Sequence, residues 1–443
     1  MTAASVIRSS MGLVHAVSAG LDPEGFFRRR AARTDPTVVT FPGLGEVLFF
    51  GTKQAARDIL TIPAAVCRAP SPNPIEPIVG EGSLILLSGE EHRRERALLM
   101  PAFHGERMRA YLGTVAETTA EQIRSLRPGD RIAVRELALG IALQVIIRVV
   151  FGVADRHRQG EYAHAVKDLL RANSAPLMLM PALRRDIAGR GPWGRLLKLR
   201  AHLDHLLAED MDHHRGSGFR RADVRDALLS ATNDQDRRHG QPRLYDQLRT
   251  LLAAGHETSA TSLTWTLYHI YRDDVVRERL GAELSECPSP EYLPALPYLG
   301  AVIKETLRMH PVVPIVLRRL AGPLTIGGVW CSRGDTVGIA LYALHFDPSM
   351  WPDPDRFDPE RFLGTDLSPF EYAPFGGGSR RCIGASFALC ELAVAIGTIL
   401  RTVELRMPPM ERSRRPPRVV PRGIATVPDR EITLEVLDRH AAA

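Results

Sequence analysis

Hydrophobic and polar positions change their period along the chain. Between residues 37 and 50, "TVVTFPGLGEVLFF", two short apolar runs flank a Pro-Gly pair, which predicts a β-hairpin. From Gln54 onward apolar residues recur every three or four positions, which predicts helices. These run through "ERMRAYLGTVAETTAEQIRSL" (106–126), "ALGIALQVIIRVVFGV" (138–153), "EYAHAVKDLLRANS" (161–174), "LLKLRAHLDHLLAEDMDHH" (196–214) and a long stretch from Tyr245 to Leu284. The polar run "SATNDQDRRHGQPRLYDQ" (230–247) reads as one surface loop. Strand signals return at "GPLTIGGVWCSRGDTVGIALYAL" (322–344) and "RVVPRGIATVPDREITLEVL" (418–437). The pattern predicts a mainly α fold with a small β lobe, its sheet drawn from both ends of the chain and tying the termini together. Residues 1–443 are expected to form a single domain, with a β-rich lobe from 37–60, 320–345 and 415–437 and a helical lobe from the remainder.

Composition narrows the function classes. The net charge of +6 comes almost wholly from arginine, and the arginines are scattered rather than striped, so nucleic acid is not an expected partner. Five cysteines without paired spacing argue against a disulfide framework or a CxxC zinc site, and imply a reducing compartment. In "MTAASVIRSSMGLVHAVSAGLDPEGFF" Arg8, His15 and the serines interrupt every apolar run well short of the ~20 residues a membrane span needs. A cytoplasmic, monomeric protein without a membrane anchor is the expectation.

The chemistry concentrates at "APFGGGSRRCIGASFALCELA" (373–393). A lone cysteine is most often a small buried hydrophobe, and Cys331 and Cys390 take that reading. Cys382 differs in its neighbours. Gly376, Gly377 and Gly378 let the backbone curl round a sulfur and aim N–H groups at it, and a helix predicted from Ile383-Gly384-Ala385 would place its positive end at the thiol and lower its pKa. With no His/Asn partner in view, such a thiolate suits a metal ligand better than an acyl-transfer nucleophile. "GGGSR" lacks the P-loop pattern, "HETSA" lacks the second histidine of a zinc helix, and "MDHH" (211–214) reads as a solvated helix end.

Phe375-x-x-Gly378-x-Arg380-x-Cys382-x-Gly384 resembles the haem-binding signature of the cytochrome P450 monooxygenases at every fixed position, and haem ligation by a cysteine thiolate is a known property of that family. Three further motifs follow the family's pattern. "KETLR" with Arg361 of "FDPERF" resembles the family's core lock, which implies structural roles for Glu305, Arg308 and Arg361; alone, an i,i+3 pair would be an ordinary solvated contact. "LLAAGHETSATSLTW" (251–265) could be a tolerant core helix, but Ala254, Gly255, Glu257 and Thr258 are in register with the oxygen-binding helix. The resemblance implies a locally opened helix there, with Thr258 bonding bound dioxygen and Glu257 relaying protons. "GEEHRRERALLMPAF" reads alone as a solvated basic helix, but His92 and Arg96 stand where the family holds a haem propionate, with Arg318 and Arg380 completing the set.

The resemblance spans nearly the whole chain. It implies a cytochrome P450 fold with haem b (iron protoporphyrin IX) between a long central helix and the Cys382 loop, and a monooxygenase that uses O2. Electrons would come from NAD(P)H through a separate ferredoxin or flavodoxin with its reductase, docking near Arg93, Arg94 and Arg381. Apolar residues Ala253, Ala254, Val312, Val313, Ile315, Val316 and Ile424, with a lid about "SAPLMLMPAL" (174–183), suggest a fatty acid, terpenoid or steroid-like substrate. A peroxide-driven haem hydroxylase, an isomerase or a non-oxygenating haem-thiolate protein is the alternative.

Overall fold

The computed structural model describes residues 12–31, 33–41, 43–172, 177, 183–185, 191–217, 223–231 and 241–440. Its longest element is the helix Gln241–Arg272, called the central helix below. Pro242 is tolerated in the first turn, where an N–H would be unpaired anyway, and the helix yields at Asp273, whose carboxylate caps the next helix, Asp274–Ser285, through Val275 N at 3.0 Å. The stretch predicted as one helix from Tyr245 to Leu284 is therefore two. Residues 241–244, read from sequence as loop only, belong to the first turns of the central helix, and the helix expected from Tyr245 is present, with Asp246 and Gln247 engaged by a neighbouring segment.

The second half of the central helix is core. Leu263, Trp265, Leu267, Ile270 and Tyr271 are all buried, and the helix packs against Val134–Val145 and Ala385–Thr402. The helix Ala385–Thr402 is long and apolar enough to cross a membrane, but it carries ten buried residues and lies within the core. Helices at Glu106–Ile123, Arg156–Ala172 and Gly191–Ser217 complete much of the helical body that periodicity predicted, and Val134–Val145 ends in a π-helical turn over Ile146–Val150.

The strands correct one expectation. A five-stranded sheet runs in the order Thr37–Phe41, Gly45–Phe50, Thr336–Ala340, Ile315–Leu320, Cys67–Arg68. Its central strand Thr336–Ala340 is buried throughout, as suits a strand covered on both faces. The C-terminal strands do not join it. Among the described residues Val419–Arg422 pairs only with Ala425–Pro428, while Thr433–Arg439 lies between Arg131–Ala133 and Val403–Arg406. Small separate sheets thus replace the single sheet expected to tie the termini. Within the expected β-rich spans, Lys53–Leu60 and Leu341–His345 are helical.

Three buried histidines make the fold sensitive to acid. His269 Nε2 lies 2.9 Å from His310 Nε2, and His310 stacks on Trp265 at 3.7 Å. His345 donates from Nδ1 to Arg308 O at 3.2 Å and accepts at Nε2 from Ala373 N at 3.1 Å, which requires the neutral ring. Burial, reinforced by the Arg308 charge, pushes His269 and His345 down to about 3; burial, with His269 and Arg308, holds His310 well below its usual range. The unfolded chain binds protons that the folded chain refuses. This stability is complete above about pH 6.5 and drains as pH falls, at up to about 1.4 kcal/mol per pH unit per histidine. The urea midpoint is expected to drop between pH 7 and pH 5; equal midpoints would contradict neutral burial of these rings.

Candidate active site

The Cys382 loop is shaped by contacts that only glycine permits at one point. Gly378 has φ +66°, and a Cβ there would overlap the carbonyl oxygen of Leu60, at the end of the helix Lys53–Leu60. Gly376 also takes positive φ, and Cys382 N donates to Phe375 O at 3.0 Å, closing the loop around the half-buried Phe375. Gly384 is different. Its φ of −88° suits any residue, and a Cβ would meet no protein atom within 4 Å. A glycine there is explained by something that approaches the backbone closely, as the face of a flat ligand does.

Cys382 reaches the surface of the protein chain but is crowded by it. Burial raises its thiol pKa, opposed by the backbone N–H of Gly384 and by the charges of Arg96 and Arg381. The expected lowering by the helix end is present as the Gly384 contribution, but desolvation outweighs it in the protein alone.

Around this loop the structure gathers four basic groups. Helix Gly89–Leu99 carries His92, which is buried, and Arg96, whose charge is felt at Cys382. Arg318 is turned inward on its strand, donating to Leu317 O at 2.8 Å and Gly377 O at 3.2 Å, while Arg319 points outward to Ser71 O. Arg380 donates to the carbonyls of Ile85 and Leu87 and to Ser88 Oγ at 3.1 Å. Burial, with Arg380, Arg96 and Arg318 nearby, pushes His92 down to about 4. Among the described residues none of the four has a carboxylate partner. Three desolvated arginine charges beside the neutral His92, without a carboxylate, are costly, and a ligand bearing carboxylates would neutralise them. The residues present fit a haem, whose propionates would meet this set and whose iron would meet Cys382.

On the central helix Thr258 donates to Ala254 O at 2.5 Å and Ser262 to Thr258 O at 2.9 Å. The helix is continuous here, so the expected local opening is absent; the hydroxyls fold back on carbonyls one turn earlier and satisfy themselves within it. Glu257 is not a free acid. It pairs with Arg135, at the start of helix Val134–Val145, and lies 3.7 Å from Arg422 on the hairpin Val419–Pro428. Two residues on, Ser259 donates to Glu391 at 2.6 Å, and burial raises that carboxyl to about 7. Arg135 and Glu391 were not singled out from sequence; the solitary acid in the apolar run "ASFALCELAVAIG" was the available signal.

The apolar residues assigned to a pocket are placed as follows. Ala253, Ala254, Val313, Ile315 and Val316 are half-buried and Val312 is buried. Val316 lies 3.9 Å from where a Gly376 Cβ would stand, which sets it against the Cys382 loop. Val312 O accepts from Thr426 N at 2.8 Å, which draws in the C-terminal hairpin whose tip carries the partly exposed Ile424. The lid segment 174–183 lies, apart from Leu177 and Leu183, outside the described residues. Arg93 and Arg94 are exposed but both pair with Glu90, so of the expected docking face Arg381 alone has no ion pair among the described residues. No group of three or more His, Cys, Asp or Glu that could hold a metal occurs among the described residues.

Comparison with known proteins agrees with this reading. The cytochrome P450 family profile matches residues 10–433. Cytochrome P450 138 of Mycobacterium tuberculosis is 33% identical over 389 residues, covering 87% of this chain and 85% of the relative; cytochrome P450 135B1 of the same organism is 33% identical over 368 residues, covering 82% and 77%. The solved structure of retinoic acid bound cyanobacterial CYP120A1 is similar in fold, with a TM-score of 0.76 at 23% identity over 89% of this chain and 90% of that one. The chain therefore belongs to the cytochrome P450 family, haem-dependent monooxygenases that use haem b, dioxygen and electrons from NAD(P)H delivered by partner proteins.

Proposed function

We propose that this chain, as one catalytic unit, inserts an oxygen atom from O2 into a lipid-like apolar molecule of the fatty acid, terpenoid or steroid type, with two electrons supplied by a ferredoxin or flavodoxin and its reductase. The observation that carries the site assignment is the acid-free cluster of His92, Arg96, Arg318 and Arg380 around the Cys382 loop. Cys382 would hold the iron as a thiolate, in place of the proton that burial favours on its sulfur. Phe375, Gly378 and Gly384 shape the loop that presents it. When bound, the haem supplies dioxygen reduction and transfer of one oxygen atom, the other leaving as water with two protons.

The protein's part is proton delivery and orientation. Glu257 sits at the boundary between solvent and site, about a quarter exposed and paired with Arg135 and Arg422, a position from which it can pass a proton inward. Thr258 breaks its bond to Ala254 to donate toward the oxygen site, a hydroxyl exchange within one helical turn. The apolar residues near Cys382 offer no charge to a substrate, which supports a lipid-like ligand over a charged one. Arg381 offers a free cation for an acidic electron donor. A cytoplasmic monomer is the setting proposed.

With NADPH, a surrogate ferredoxin and reductase, and an apolar compound that shifts the haem spin state, oxygenated product is expected under O2. Thr258→Ala is expected to lower product per NADPH by roughly tenfold or more, with the electrons recovered as hydrogen peroxide. Turnover with hydrogen peroxide alone, unaffected by Thr258→Ala, would favour the peroxide-driven alternative.

A further inference from the structure

The polar side chains in the first turns of the central helix converge on one neighbouring segment. Arg249 Nε donates to Ile78 O at 2.9 Å, and Asp246 accepts from Gly82 N at 2.8 Å. Gln247 accepts from Leu84 N at 3.1 Å and donates to Gly82 O at 2.7 Å. Thr250 Oγ1 hydrogen-bonds Ser83 Oγ at 2.6 Å, both residues being buried. A few residues further on, Arg380 grips the carbonyls of Ile85 and Leu87 and the Ser88 hydroxyl. Gly89 then opens the helix that carries His92 and Arg96. The apolar stretch Leu84–Leu86 is thus clamped at one end by the central helix and at the other by an arginine of the Cys382 loop.

We infer that Gln247 and Thr250 are positioning residues that hold Leu84–Leu86 as a fixed wall of the ligand space beside Cys382, and so tune the site to rigid apolar ligands. A connecting segment such as 80–88, with glycines at 80 and 82, would otherwise be an adjustable flap whose ordering each ligand must bring about, at about 1–2 kcal/mol per residue fixed. Clasping it in advance removes that cost from binding. The buried bond to Leu84 N and the partly buried bonds to the Gly82 backbone serve this wall, since surface loops elsewhere satisfy such groups with water. The inference rests on the haem site proposed above.

The test uses the ferric holoenzyme and two azoles. Imidazole needs only the iron, whereas 4-phenylimidazole also needs an apolar wall. Thr250→Val, which removes the hydroxyl at nearly constant shape, is expected to weaken 4-phenylimidazole about tenfold while imidazole changes less than about twofold. Thr250→Ser should restore the wild-type ratio, and amide exchange at 84–87 should quicken in the valine variant only. An unchanged ratio, or equal weakening of both azoles, overturns the positioning role. Wild-type exchange supplies a check that needs no variant: 84–87 should be protected like the central helix, and free exchange there overturns the clasp. If imidazole does not shift the wild-type spectrum at all, the haem reading fails and this inference with it.

Discussion

Glu305→Ala is expected to destabilise the fold by about 3–5 kcal/mol, against the total of about 5–15 kcal/mol typical of a folded domain. Glu305 is fully buried on helix Pro297–Met309 and accepts from Arg308 Nε at 2.7 Å and Nη2 at 2.8 Å, from Arg361 Nε at 3.1 Å and from Asp358 N at 2.9 Å. Removing the carboxylate strands Arg308, itself fully buried, as an uncompensated charge. The damage has a route to the site. Arg308 Nη1 holds His345 O at 2.9 Å, and His345 receives Ala373 N, at the start of the segment leading to Phe375 and Cys382. A lower urea midpoint and poor haem retention should appear together. Glu90→Ala, which breaks exposed pairs with Arg93 and Arg94, should cost less than about 1 kcal/mol. A Glu305→Ala protein with a wild-type midpoint would show that the buried trio does not support the loop.

What the sequence disclosed and what it hid divide along physical lines. Motifs whose residues lie within one turn or loop were legible, because their spacing is their geometry: the glycines before Cys382, His92 with Arg96, Glu305 with Arg308. Pairings across distant segments were not. Glu257 meets Arg135 from 122 residues away and Ser259 meets Glu391 from 132, and nothing local in either segment announces the partner. The same holds for the C-terminal strands, whose alternation predicted strand but not which edge each would join. The start of the central helix was ambiguous in sequence, since a polar run to Gln247 overlapped a helical pattern from Tyr245, and it is helix with Asp246 and Gln247 bonded to the segment at 82–84. The thiol pKa was misjudged for a related reason: the helix end is local and visible in sequence, while the crowding that raises the pKa is tertiary.

The second large effect concerns Cys382 itself. Serine keeps the size and the bond from the Cys382 backbone N–H to Phe375 O, so the loop should fold and the basic cluster should still bind haem. A serine oxygen cannot donate electron density as a thiolate does, so oxygenation with O2 and reductant is expected to fall to background. The other cysteines are placed differently, since Cys287 and Cys331 are buried in packing positions, Cys67 is buried beside Arg380 and Arg318, and Cys390 lies in the helix after the loop. The most direct measurement is the absorption spectrum of the reduced, carbon-monoxide-bound protein, wild type beside Cys382→Ser. A strongly red-shifted Soret band in the wild type that disappears in the variant is the predicted result. A band at the position of histidine-ligated haem in the wild type, or a red-shifted band that survives in Cys382→Ser, would contradict the account.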